Sequence, residues 1–171
     1  LNSVSIDSIE TYIGITTIFP TFNASSGVTN DIINSGKLHI IENKELRVFL
    51  SNWSGDISQV TEMENVLLNY YFSTYHPFLI KHIQLRNSFN AMLSNTNLTE
   101  KFNLNKSIKN VEKIVQSKKT HEYEILFNNE NFEDYLVTIL TYSRLANIQA
   151  EGFIVKINHN LRFIENYLKN D

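Results

Sequence analysis

A helical spacing runs through two long stretches of this chain and narrows what it can fold into. From Leu46, alternating steps of four and three residues pick out Leu46, Leu50, Trp53, Ile57, Val60, Glu64, Leu67 and Tyr71, seven of the eight apolar. A stripe of that period covers one face of an α-helix and predicts one amphipathic helix over 43–73, about 45 Å long at roughly 1.5 Å per residue. Asn43 stands where a side-chain cap is needed, with Glu45 near the positive end of the helix dipole. The same steps from Phe132 give Phe132, Leu136, Ile139, Ser143, Ala146, Ala150, Phe153, Ile157, Asn160 and Ile164, eight of the ten apolar. A neighbouring row of Leu140, Leu145, Ile154, Leu161 and Leu168 widens that face. Asn129 or Asn131 is placed to cap this second helix, with Glu133 and Asp134 in its first turn. Two helices this long, each with a wide apolar stripe, predict an all-α fold: an elongated antiparallel helical bundle built on 43–73 and 132–169.

Shorter segments fill in around them. Five glycines and two prolines are few for a β-protein that turns tightly many times. Ile6, Ile9 and Ile13 fit a helix over 3–17, although the β-branched run Ile15-Thr16-Thr17-Ile18 weakens it before Pro20 stops it. Ser25 or Ser26 is placed to cap a brief helix over 26–35, with Gly36 in the C-terminal glycine position. Pro77 suits the first turn of a helix over 77–92 that carries Phe78, Ile80, Ile83, Leu85 and Phe89. Residues 94–107, polar and rich in asparagine, read as the exposed loop, and 107–117 as another short helix. Tyr123, Ile125 and Phe127 alternate like a strand without an evident partner, so 120–128 is compatible with either helix or extended chain. Ser143, Ala146 and Ala150 suggest that another helix comes close at mid-length, and Gly152 is a place for a kink. The 171 residues read as a single helical domain.

Composition excludes several classes of function. A net charge of −3 argues against a nucleic-acid partner held by a basic face. With 42% hydrophobic residues and 12% aromatics a real core is attainable. No run of 18 apolar residues occurs, so nothing within these residues reads as a membrane span. The absence of cysteine excludes disulfides, thiolate metal sites and cysteine nucleophiles. The 23 asparagines and 20 isoleucines are the usage of an AT-rich genome, and with so much asparagine the sequons at Asn23, Asn52, Asn97 and Asn105 arise by chance. The chain begins at Leu1, which leaves a cleaved signal, a trimmed anchor and a cloning boundary as alternatives.

The chemistry-bearing residues form no recognisable constellation. The histidines are His39, His76, His82, His121 and His159, and none shows the Glu-x-x-His or i, i+4 spacing by which helices present metal ligands together. His76, just before Pro77, reads as a helix-end residue, and the five together as surface or capping histidines. Glu64 falls on an apolar stripe near Glu62, which raises a buried functional acid as one reading. The plainer one is a slight rotation that leaves it at the boundary while Met63 or Leu68 takes the core. Asn160, on the other stripe, is either a partner for Glu64 or a register-fixing polar group. Trp53 reads as a core residue rather than a ligand-facing one. No phosphate-binding glycine loop, nucleophile elbow or kinase signature is present, so the expectation is a non-enzymatic protein with no catalytic, cofactor-binding or metal residues and no cofactor. Phe19 and Phe22 place two aromatics in a connecting segment, either plugging one end of the bundle or forming an exposed patch.

Phe19-Pro20-Thr21-Phe22-Asn23, then Asn34-Ser35-Gly36-Lys37-Leu38, then Ile41-Glu42-Asn43-Lys44-Glu45-Leu46-Arg47 resemble, in order and spacing, a family of uncharacterised small single-pass membrane-anchored helical proteins of Bacteroidota. Asn131-Phe132-Glu133-Asp134-Tyr135-Leu136 is similar to that family's entry into its final long helix. The resemblance implies an N-terminal membrane helix ahead of Leu1 and a helical domain facing the periplasm, with no activity to transfer. Three functions follow as expectations. The first is a membrane-tethered extracytoplasmic sensor or protein-interaction domain, its small-molecule ligand or protein partner unknown. The second is a self-associating helical scaffold, and the third a bundle-core enzyme using Glu64.

Overall fold

The computed structural model describes residues 5–19, 21–95, 114–115, 117 and 123–170. Seven α-helices run along them: α1 (Ile6–Ile15), α2 (Gly27–Asn34), α3 (Lys44–Tyr70), α4 (His76–His82), α5 (Leu85–Ser94), α6 (Glu124–Phe127) and α7 (Phe132–Asn170). A 3₁₀ turn at Lys37–Ile40 precedes α3, and a π-helical turn at Tyr71–Tyr75 joins α3 to α4. No strand occurs among the described residues, so the fold class is all-α.

Both long helices start where their capping residues place them. Asn43 Oδ1 accepts the Leu46 N–H at 2.7 Å and fixes the first turn of α3. Asn131 holds the cap position of α7 and its carbonyl accepts the Tyr135 N–H, while the Asn129 side chain accepts the Asn131 N–H at 3.0 Å. Gly36 ends the segment after α2 at φ 71°, a left-handed conformation that costs glycine nothing. Ser26 occupies the cap position of α2 without a side-chain hydrogen bond.

Three helical boundaries differ from expectation. The helix over 43–73 gives up α geometry after Tyr70 and continues as a π turn in which the His76 N–H reaches back five residues to the Tyr71 carbonyl. Pro77, with no N–H of its own, follows immediately in the first turn of α4. His76, at φ −62° and ψ −45°, is therefore within a continuous helical run rather than at a helix end. The single helix expected over 77–92 is two, because Ile83 (φ −134°, ψ 172°) and Gln84 (φ −108°, ψ 100°) are extended between α4 and α5. Neither is a helix breaker by type; the break follows from packing, since Ile83 turns into the core and α5 starts afresh against α1. Residues 124–127 form a short helix, which settles that part of the ambiguous 120–128 stretch against a strand. Of the expected 94–107 loop only Ser94 and Asn95 are among the described residues, and Ser94 is the last residue of α5; most of the 107–117 helix also lies outside them, and Ile114, Val115 and Ser117 are not helical.

The chain divides into two compact units, one of Leu1–Pro20 with Tyr70–Ile139, the other of Thr21–Asn69 with Leu140–Asp171. In the first, Ile9, Ile13, Tyr75, Leu79, Met92, Tyr123, Leu126 and Phe132 are buried. α1 crosses α5 closely at Gly14, where a Cβ would stand 2.4 Å from the Ser88 carbonyl oxygen and 2.7 Å from Met92 Cβ. In the second, Val60, Leu67, Ala146 and Phe153 are buried. Aromatic rings hold α3 and α7 together there, with Trp53 centred 5.2 Å from Phe153 and 5.4 Å from Phe49. Of the three small residues expected at a close approach, Ser143, Ala146 and Ala150, Ala146 is buried. Gly152, with open space around it, lies in a helix that runs unbroken.

Candidate interaction surface

Most of the polar residues singled out by the sequence serve the backbone. Both oxygens of Glu64 accept the Phe22 N–H, at 2.9 and 3.0 Å, so this half-buried carboxylate ties the segment after residue 20 to α3. Asn160, 8% exposed, donates to the Lys156 carbonyl one turn back on its own helix at 2.8 Å and is not the partner of Glu64. Phe19 and Phe22 are half-buried, the first ring 4.5 Å from Tyr71, the second edge-on to Phe153 at 5.7 Å, so neither offers an exposed patch.

The histidines scatter. His39 Nδ1 lies 2.6 Å from the Gly36 carbonyl and His82 Nδ1 2.8 Å from the Phe78 carbonyl, while His76 rests against Tyr71 and Phe72. His159 stands 3.7 Å from Glu45, both exposed, and His121 lies outside the described residues. Among the described residues no three histidine, aspartate or glutamate side chains gather as a metal site would require.

Two polar devices in the first unit were not read from the sequence. Asn90, 5% exposed, grips the main chain of Ile114 from both sides: its Nδ2 donates to the carbonyl at 2.5 Å and its Oδ1 accepts the N–H at 3.2 Å. Asn87 Oδ1 accepts the Ser117 N–H at 3.1 Å and Arg86 donates to the Val115 carbonyl at 3.2 Å. The Tyr123 hydroxyl donates to Glu10 at 2.6 Å; burial, then the bond to Glu10 and its negative charge, push this phenol well above its ordinary pKa. Tyr75, fully buried at the π turn, is raised to about 12 by burial, against the lowering pull of its hydrogen bond with Thr16. Asparagine pairing with a distant main-chain segment has no sequence period, which is why neither arrangement was legible.

The second unit carries the surface that stands out. The buried side of α7 follows the expected stripe, with Phe153 at 4% exposure. The row beside it, expected to widen the packed face, is open to solvent: Leu140, Leu145, Ile154, Leu161 and Leu168 are 41–69% exposed. Taken with Ile157 and Ile164 of the first stripe, Ile154, Leu161 and Leu168 of this row follow steps of three, four, three and four, the a/d spacing of a helix that meets another helix. Ile157 is half-buried and Ile164 36% exposed, so the seam grades from the α3 contact outward. Elsewhere in this unit a groove of about 590 Å³ includes Val48, Phe49 and Val155 in its lining, together with the Asp56–Lys156 ion pair. No family model, curated protein or solved structure matches this chain.

Proposed function

We propose that this chain is a non-enzymatic protein-interaction domain whose recognition surface is the exposed seam of α7. The observation behind this reading is the row of Ile154, Leu161, Ile164 and Leu168, apolar, open and in helix-pairing register. Isolated exposed hydrophobics are ordinary on any surface, whereas a contiguous row at a/d spacing is a helix-docking feature. The elongated antiparallel bundle belongs to the same proposal. Glu45 lies near His159 and Trp53 against Phe153, so contacts advance along α3 while receding along α7.

The proposal retains a membrane tether ahead of Leu1 and an extracytoplasmic, periplasmic setting, with ligand sensing transmitted along the long helices. No helix of the described residues is long and apolar enough to cross a membrane, so the tether would lie in chain preceding these residues. A self-associating scaffold is the second reading, favoured by the same seam. Glu64 gives a catalytic reading less support, because its carboxylate is engaged with the Phe22 N–H.

The test is photo-crosslinking in cells that express the full-length protein, with the reactive side chain placed at position 161 on the seam or at the exposed Asn166 away from it. A discrete protein adduct from 161 and none from 166 is the expected result. No adduct at 161, or equal labelling from both positions, would sink the reading.

A further inference from the structure

The groove of the second unit shares no lining residue with the seam. Its walls come from α3 and α7, and its apolar part is Val48, Phe49 and Val155, of which Val48 and Val155 are exposed. Polar bridges from α7 to α3 stand at both limits of that part. Lys156 reaches Asp56, and His159 stands 3.7 Å from Glu45. Along α3, Glu45 and Asp56 are about 16 Å apart at roughly 1.5 Å per residue. An apolar length of that order, in a groove of about 590 Å³, has the size of a small-molecule site. A helix laid in it would have to cross one bridge or the other.

Two features select the molecule. The lining sets Lys44 and Lys156 against Glu45 and Asp56, so its fixed charges cancel, and neither an anion nor a cation recovers the cost of leaving water. Asn160, 8% exposed, also lines the groove. Its Nδ2 must face the Lys156 carbonyl, which can only accept, and this fixes the orientation of the amide. Oδ1 is then left as an acceptor that takes no hydrogen bond from a described residue. Such a buried acceptor favours any molecule that brings it a donor. Asn52, the other amide of the lining, is exposed and has water as its partner. We infer that this groove binds an uncharged, largely apolar small molecule carrying a hydrogen-bond donor. The donor meets Asn160 Oδ1, and the apolar body lies along Val48, Phe49 and Val155. The inference stands whether or not the seam is a recognition surface.

Four analogues of one shape test it: cyclohexylbutanol, its methyl ether, cyclohexylbutanoate and cyclohexylbutylammonium. Each is titrated into the isotope-labelled whole chain and followed by nuclear magnetic resonance. The alcohol should bind about fivefold tighter than the ether, the ratio for one neutral hydrogen bond, and tighter than both ions. Its shifts should centre on Phe49, Val155 and the Asn160 side-chain amide. Asn160→Ala should bring alcohol and ether to equal affinity. Because Asn160 is buried, a second variant at an exposed position, Val155→Asp, should remove binding of the alcohol while leaving the thermal melt unchanged. Equal or tighter binding of the ether or of either ion would overturn the inference. So would an alcohol preference that survives Asn160→Ala, binding that Val155→Asp leaves intact, or no binding of the alcohol up to its solubility. Dimerisation in sedimentation that Val155→Asp removes would give the groove to a second copy, and a protein adduct from a photo-reactive side chain at position 48 would give it to a partner protein. Either result also overturns the small-molecule inference. None of these outcomes bears on crosslinking from position 161, so the interaction reading is decided separately.

Discussion

Glu64 shows how a residue can be conspicuous in sequence and structural in fact. It broke an apolar stripe because its carboxylate holds the Phe22 N–H at a part-buried position. Glu64→Ala should cost about 1.5–3 kcal/mol in urea denaturation, the range for a charge-assisted hydrogen bond. Glu64→Gln, which keeps an acceptor, should cost less. Two glycines that look alike in sequence should behave oppositely. Gly14→Ala drives a methyl to 2.4 Å from the Ser88 carbonyl and should destabilise by several kcal/mol, whereas Gly152→Ala meets nothing within 4 Å and should stabilise by about 0.5–1 kcal/mol. Paired thermal melts decide between these signs. Gly152 stands out in the sequence and Gly14 does not, since periodicity reports which face a residue occupies and not which backbone crosses there.

At the scale of elements, what was legible was what has a period. The α3 and α7 stripes, the Asn43 cap and the Gly36 terminus all rest on local chemistry and are found where expected. The π turn, the break at Ile83 and the Asn90 clamp depend on tertiary packing and leave no local signature. Asn90→Ala should leave the Ile114 N–H and carbonyl unpaired in a part-buried place and cost about 2–3 kcal/mol. Faster amide exchange at Ile114 is the readout. The buried phenols of the first unit give a pH dependence. Tyr75 titrates at about 12 when folded and near 10 when unfolded, so the unfolded chain releases its proton first. Stability from this group is complete below pH 10 and is lost as pH rises towards 12, and Tyr123 and Tyr71 act in the same direction. The urea midpoint should therefore fall between pH 10 and 12, and Tyr75→Phe should flatten that fall.

For the whole molecule, apolar residues predicted for a core have become surface. Sequence alone could not separate these outcomes, because a wide stripe has the same period whether its outer row meets the chain's own helices or another protein's. On the proposed reading, Leu161 and Leu168 are free in the folded chain and kept apolar for recognition. Calorimetric melting of Leu161→Asp/Leu168→Asp beside the unaltered chain tests this most directly. Transitions that agree within about 2 °C, the ordinary effect of surface substitutions, are the expected result. A fall of about 5 °C or more, the mark of a charge forced into packed surroundings, would mean that the seam is already filled within the fold and is no recognition surface.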